Sequence, residues 1–141
     1  VFLLPGMTKE NMPAVLSGLD VATSLFLPLR EMEANSANKF FDALAAGCCV
    51  AINYGGWQAA LLEESGAGVR LASDPLEAAG QFSLLASDPD RVSRCGRNAR
   101  KLAEERFSRD ELANRVAAVL AAVKAGTADP RRGIAQDAPS D

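Results

Sequence analysis

Apolar residues in this chain fall into short continuous runs separated by stretches at helical spacing. Val1 to Leu4 is an apolar run halted by Pro5-Gly6 and reads as a short buried strand. Met12, Val15, Leu16 and Leu19 then recur at helical spacing and predict a short helix around Asn11 to Gly18. DVATSLFLP, bounded by Asp20 and Pro28, is continuously apolar over strand length, as a parallel strand covered on both faces requires. After the polar loop LREMEANS, the positions Ala37, Phe40, Phe41, Leu44 and Ala45 make one apolar stripe and predict a helix over 37–46. Asn35 or Ser36 is its natural N-cap, and Gly47 supplies a left-handed C-terminal residue.

Cys48 to Asn53 is the next strand, closed by Tyr54-Gly55-Gly56. Trp57 to Ser65 reads as a helix ending at Gly66, and GVRLA as a further short strand. Asp74-Pro75 starts a helix to about Leu85, and Asp88-Pro89 starts another to about Arg106, both with Pro at the first helical position. Ser108 to Glu111 has the form of a capping box before a last helix to about Lys124. From Gly126 onward no apolar period remains, which predicts a disordered tail.

This alternation predicts an α/β fold: an open, mostly parallel, doubly wound, Rossmann-like sheet of about four strands. Val21 to Leu27 should lie parallel beside Cys48 to Asn53, with its other edge unpaired or taken by the first strand. Ligands of such sheets bind in the crevice beyond the carboxyl ends of the strands. The loops there are Pro5 to Lys9, Pro28 to Ser36, Tyr54 to Trp57 and Ala72 to Asp74.

Composition narrows the chemistry. With 141 residues, 48% hydrophobic and 23% charged, the chain reads as a globular domain. A net charge of −3 argues against a nucleic-acid partner, and no apolar window is long enough to cross a membrane. The chain holds no His, which removes the commonest general base and most catalytic zinc sites. Its 3 cysteines match neither a zinc spacing nor a disulfide framework, so buried free thiols in a reducing cytoplasm are expected. The chain opens inside an apolar run without Met, as a piece of a longer protein would.

Candidate chemistry concentrates where the 37–46 helix begins. A helix N-terminus carries unpaired N–H groups and the positive end of the dipole, so it attracts anions. Asn35, Ser36, Ala37 and Asn38 are small enough to let a phosphate approach, and Lys39 adds a positive charge. Asp42, one turn on, could accept from a ribose or sugar diol. A capped surface helix with a Lys39–Asp42 ion pair fits the same spacing. Gly55-Gly56 allows close backbone approach to a ligand or is simply a tight turn. Trp57 reads as a packing residue, and Glu31 and Glu33 lie in the preceding loop.

The run NSANKFFDALAAG, then a strand, GGW and LLEESGAG, resembles the donor-nucleotide domain of GT-B retaining glycosyltransferases. It is most similar to the family-four type of bacterial lipopolysaccharide and capsule synthesis, including N-acetylfucosamine-transferase-like members. SDPDRVSRCGRNARKLAEERFSRDELA resembles the closing helices of that family, and LPGMTKENMPAVLSGLDVA resembles its entry into the next strand. The resemblance spans residues 1 to about 122.

The resemblance implies roles. Asp42 falls where the family has a Glu on the ribose hydroxyls, and Ser36 to Lys39 fall in the segment holding the diphosphate. Pro5 to Met7, with Gly6 and Met7 in the candidate site, match the loop whose backbone reads the base. Gly55 and Gly56 match a loop near the donor. The family is typically metal-independent, so no cofactor and no metal are expected. Two departures stand out: the first acid of the family's acidic pair falls on Ala34, and Cys49 replaces a usual Pro. The family's basic pair for the leaving diphosphate, and its acceptor domain, would precede Val1.

The expectation is therefore a partial nucleotide-sugar-binding domain over 1–125 of a cytoplasmic glycosyltransferase. The donor would be UDP-linked and the acceptor lipid-linked or a saccharide, in cell-surface polysaccharide synthesis at the inner face of the membrane. The missing acceptor domain would be its partner, and the chain alone should contain no catalytic residue and transfer no sugar. A UDP-sugar 2-epimerase-like enzyme and a non-catalytic Rossmann-like binding module are the alternatives.

Overall fold

The computed structural model of the chain describes residues 2–126. Strands β1 (Val21–Ser24), β2 (Cys49–Ile52) and β3 (Gly68–Arg70) form a parallel sheet in the order β1-β2-β3. Val21 pairs with Cys49 and Val50 with Gly68. The helices are α1 (Met12–Leu16), α2 (Asn38–Ala46), α3 (Trp57–Ser65), α4 (Pro75–Ala86), α5 (Pro89–Arg106) and α6 (Arg109–Lys124), with a 3₁₀ turn over Arg30–Ala34. Contacts divide the chain into a unit Val1–Arg106, which holds the sheet, and a unit Phe107–Asp141, which holds α6.

Period-two alternation splits the sheet into two faces. On one face Cys49, with Val21 and Val69 beside it, packs against Leu85 of α4 and Val92 and Cys95 of α5. On the other, Val50 and Gly68 meet α3, where Leu62 approaches the Gly68 α-carbon. Right-handed crossovers put α2 on the same side as α3. Phe40 and Leu44 of α2 and Leu62 of α3 are almost wholly buried there, each contributing roughly 1.5–3 kcal/mol. Every residue of β2 is buried. Helices on both faces make the fold α/β, Rossmann-like and doubly wound around a small open sheet.

Gly96 of α5 shows why the face bearing Cys49 closes so tightly. A Cβ there would run into the Gly47 carbonyl, so only glycine lets α5 lie against the turn joining α2 to β2. Gly47 itself takes the expected left-handed conformation, with φ of 76°. Asp74 caps α4 as expected, accepting from the N–H groups of Leu76 at 3.1 Å and Glu77 at 2.9 Å.

Four expectations need correction. Phe2 to Leu4 is not a strand: no strand pairs with it, and an apolar run without a ladder partner leaves its backbone to solvent. The side chains of Phe2 and Leu3 are more than 90% exposed. The sheet accordingly has three strands, within the expected size of about four. Strand β1 stops at Ser24 rather than Leu27, because a side chain takes over the next pairing position, as described below. The N-cap of α2 is Ala37, not Asn35 or Ser36, and no side chain caps its first turn. Ser108 has the extended backbone of an N-cap but makes no side-chain cap bond, since solvent competes for exposed first-turn donors. The expected tail, beyond Gly126, lies outside the described residues, as does Val1.

No described helix is long and apolar enough to cross a membrane.

Candidate functional site

The parallel strands all end on one side, and the loops leaving them lie at that end together with the start of α2. Asn35 shapes the entry to α2. Its side-chain oxygen accepts from the Ala37 N–H at 3.1 Å, its amide donates to the Met32 carbonyl, and its backbone carbonyl accepts from the Trp57 indole N–H at 3.0 Å. With Ala37 as an uncapped N-cap, the N–H groups of Asn38 and Lys39 at the start of α2 have no side-chain partner among the described residues. The first turn of α2 contains no acidic residue, so the positive end of its dipole is reinforced by Lys39 rather than neutralised.

Lys39 and Asp42 do not form the ion pair that their spacing allows. The Lys39 ammonium instead lies 4.4 Å from the centroid of the Phe26 ring. Asp42 is exposed and takes no partner among the described residues. Trp57 packs, as expected: its ring stacks on Phe41 and meets Phe40 edge-on, each 6.1 Å between centroids.

Gly55 and Gly56 have a specific structural use. Gly56 has φ of 81° and ψ of −164°, a region that side chains other than glycine's hardly enter. A Cβ there would collide with the Glu33 carbonyl, so the close backbone approach expected at this turn is made by the 3₁₀ segment itself. Gly55 is buried, and a Cβ there would meet both the Glu33 carboxylate and the Arg70 guanidinium. Around it opens a cleft of about 290 Å³ lined by Arg30, Glu33, Asn53, Gly55, Arg70 and Ser73. A larger cleft of about 770 Å³ lies at the opposite end of the sheet, beside Asp20, Gly47 and Arg100. The donors at the start of α2 do not point there, so size does not identify the site.

Beneath the crevice runs a buried polar chain. The Tyr54 hydroxyl lies 3.1 Å from the Ser24 hydroxyl and donates to the Gln58 side-chain oxygen at 2.7 Å. Burial pushes the Tyr54 phenol above its ordinary pKa, partly offset by hydrogen bonds with Ser24 and Asn35. Gln58 is fully buried, and its amide nitrogen has no hydrogen-bond partner. Asn35 thus joins the crevice to the core.

The structure brings Asn35, Ser36, Ala37, Asn38 and Lys39 together at one helix start, and sets Gly56 against the Glu33 backbone and Gly55 beside the Glu33 carboxylate. Gly6 and Met7 are not joined to that group by any hydrogen bond among the described residues, and no atom lies within 4 Å of where a Gly6 side chain would begin. Sequence reasoning missed Phe26, Asn53, Tyr54 and Gln58. Asn53 carried a usable signal: a polar residue ending an otherwise apolar strand, at the end where such sheets place functional groups. No three His, Cys, Asp or Glu side chains among the described residues converge as metal ligands would.

Comparison with known proteins bears on this arrangement directly. The model of the glycosyl transferase-like family matches residues 5–121, which include the whole sheet and every element of the crevice. Neither the curated proteins nor the solved structures gave a match. Since the matched span takes in well over half of the sequence, the chain belongs to the glycosyl transferase-like family.

Proposed function

We propose that this chain forms the donor-binding part of a glycosyltransferase that uses a nucleotide-sugar, with the diphosphate held at the start of α2. The observation that carries this reading is the first turn of α2, which has no side-chain cap among the described residues, holds Lys39 and contains no acid. Ser36 and Asn38 are exposed beside it and would hydrogen-bond phosphate oxygens. Asp42, exposed one turn further on, would accept from the ribose hydroxyls. Gly6 and Met7 would read the base from the segment before α1. Family membership supplies the reaction class, and the resemblance to family-four transferases supports a UDP-linked donor.

The acceptor, on this reading, is lipid-linked or a saccharide in cell-surface polysaccharide synthesis at the cytoplasmic face of the membrane, bound by a separate domain of the enzyme.

Calorimetric titration with UDP and with inorganic pyrophosphate tests the proposal. Both ligands should bind the wild type, and Lys39→Ala should weaken both, with the difference shrinking as salt rises. Equal affinity of wild type and variant for both ligands would leave the start of α2 as ordinary surface.

A further inference from the structure

The Lys39 ammonium sits where a helix disfavours a cation. It is in the first turn of α2, at the positive end of the dipole, with no acid in that turn and no ion pair among the described residues. What it has is the face of Phe26, 4.4 Å away, a geometry in which the ring quadrupole attracts a cation.

Phe26 is itself held in place. Both its backbone N–H and its carbonyl are bonded by the Asn53 side chain, at 2.9 and 2.8 Å. Its ring meets Tyr54 edge-on, with 5.2 Å between centroids and 64° between planes. Tyr54 is in turn anchored to Ser24 and Gln58 inside the core. The ring under Lys39 is therefore tied to the sheet, while the lysine stem belongs to the helix.

We propose that Phe26 is a positioning residue for the anion site: its ring holds the Lys39 ammonium at the start of α2, so that an arriving diphosphate meets a charge already in place. This rests on the reading of the α2 start as the diphosphate site. A four-carbon lysine stem loses considerable rotamer freedom when it is fixed. The ring meets part of that loss before the ligand arrives, which raises affinity without touching the ligand.

The test is a double-mutant cycle read by UDP affinity on the full chain, using Phe26→Leu, Lys39→Met and both together. Phe26→Leu should weaken UDP binding roughly two- to fivefold with Lys39 present, the range a semi-exposed cation–ring contact supports. In the Lys39→Met background it should change nothing, and Phe26→Tyr should restore wild-type affinity. If Phe26→Leu fails to fold, pentafluorophenylalanine at position 26 keeps the shape and reverses the quadrupole, and should weaken UDP by a similar factor. Equal losses with and without Lys39, or no loss while Lys39→Met still weakens UDP, would overturn the role of Phe26 and leave the diphosphate site standing. Unchanged UDP affinity in Lys39→Met itself would remove the site and the proposal with it.

Discussion

The side-chain amide of Asn53 closes two hydrogen bonds on the backbone of Phe26, accepting from its N–H at 2.9 Å and donating to its carbonyl at 2.8 Å. The β1–β2 ladder has its last pair at Ser24 and Ile52. Asn53 continues it with a side chain, just where the two backbones separate to form the crevice. One residue thus ends the strand pairing and fixes the first loop of the site.

Asn53→Ala should accordingly destabilise the protein by about 1–3 kcal/mol, since both Phe26 groups are part-buried and lose their partner. Asn53→Asp keeps the acceptor but turns a carboxylate oxygen toward the Phe26 carbonyl, so it should destabilise at least as much as Asn53→Ala. Urea denaturation at neutral pH measures both, and an Asp variant as stable as wild type would contradict the two-bond account.

Gly56→Ala meets both an unfavourable φ of 81° and the backbone of Glu33. It should lower stability by about 1–3 kcal/mol from the dihedral alone. The clash should add to this or push the 3₁₀ segment off the turn. Thermal melting of Gly56→Ala beside Gly80→Ala separates the effects, because a Cβ at Gly80 meets nothing within 4 Å. Gly80→Ala, in a helix interior, should be stabilising by about 0.5–1 kcal/mol.

Asp42 is exposed and unpartnered, so Asp42→Ala should change folding stability by no more than about 0.5 kcal/mol. It should nevertheless weaken UDP binding by about 1–3 kcal/mol, the range for a hydrogen bond to a charged group. Inorganic pyrophosphate, which has no ribose, should bind wild type and variant alike. Calorimetry with the two ligands reads the difference, and equal losses for both would place Asp42 elsewhere than on the ribose.

The Cys49 thiol is pushed up to about 12 by burial, with the neighbouring Cys95 thiol adding to the shift. Burial also pushes up Cys48, and Asp20 adds to it. The folded state therefore keeps these thiols neutral where the unfolded chain ionises them. This contribution to stability is whole below the ordinary thiol value of 9.0 and is lost as pH rises from there toward about 12. Denaturation midpoints should fall across that window, and less steeply in Cys49→Ser. In the native protein at pH 8, iodoacetamide should leave Cys49 unmodified until denaturant is added.

The regular elements were legible because each carries its own punctuation. Trp57 to Ser65 was read with its observed bounds, since two glycines precede it and Gly66 follows it. The parallel pairing of β1 and β2 followed from continuously apolar runs separated by a helix. Phe2 to Leu4 misled because apolarity reports a wish for burial, and a strand also needs a neighbour to bond with. At the candidate site, the α2 start was legible from its small polar residues and Lys39. The Asn53–Phe26 clamp and the Lys39–Phe26 contact were not, because each joins residues far apart in sequence. No local spacing encodes such a meeting, and Lys39's own neighbourhood suggested Asp42 instead.

The order of the sheet, β1-β2-β3, has a consequence for the chain during its synthesis. β2 and β3 each emerge from the ribosome to find a neighbour already made, with only one α-helix in between. The face bearing Val21, Cys49 and Val69 must wait for Leu85 of α4 and then for Val92 and Cys95 of α5. Translating the stretch from Arg70 to Arg106 takes roughly 2 to 7 seconds at ordinary elongation rates. For that interval the nascent protein shows a bare apolar sheet. The arrival of α5, with Gly96 seated against Gly47, is what closes it.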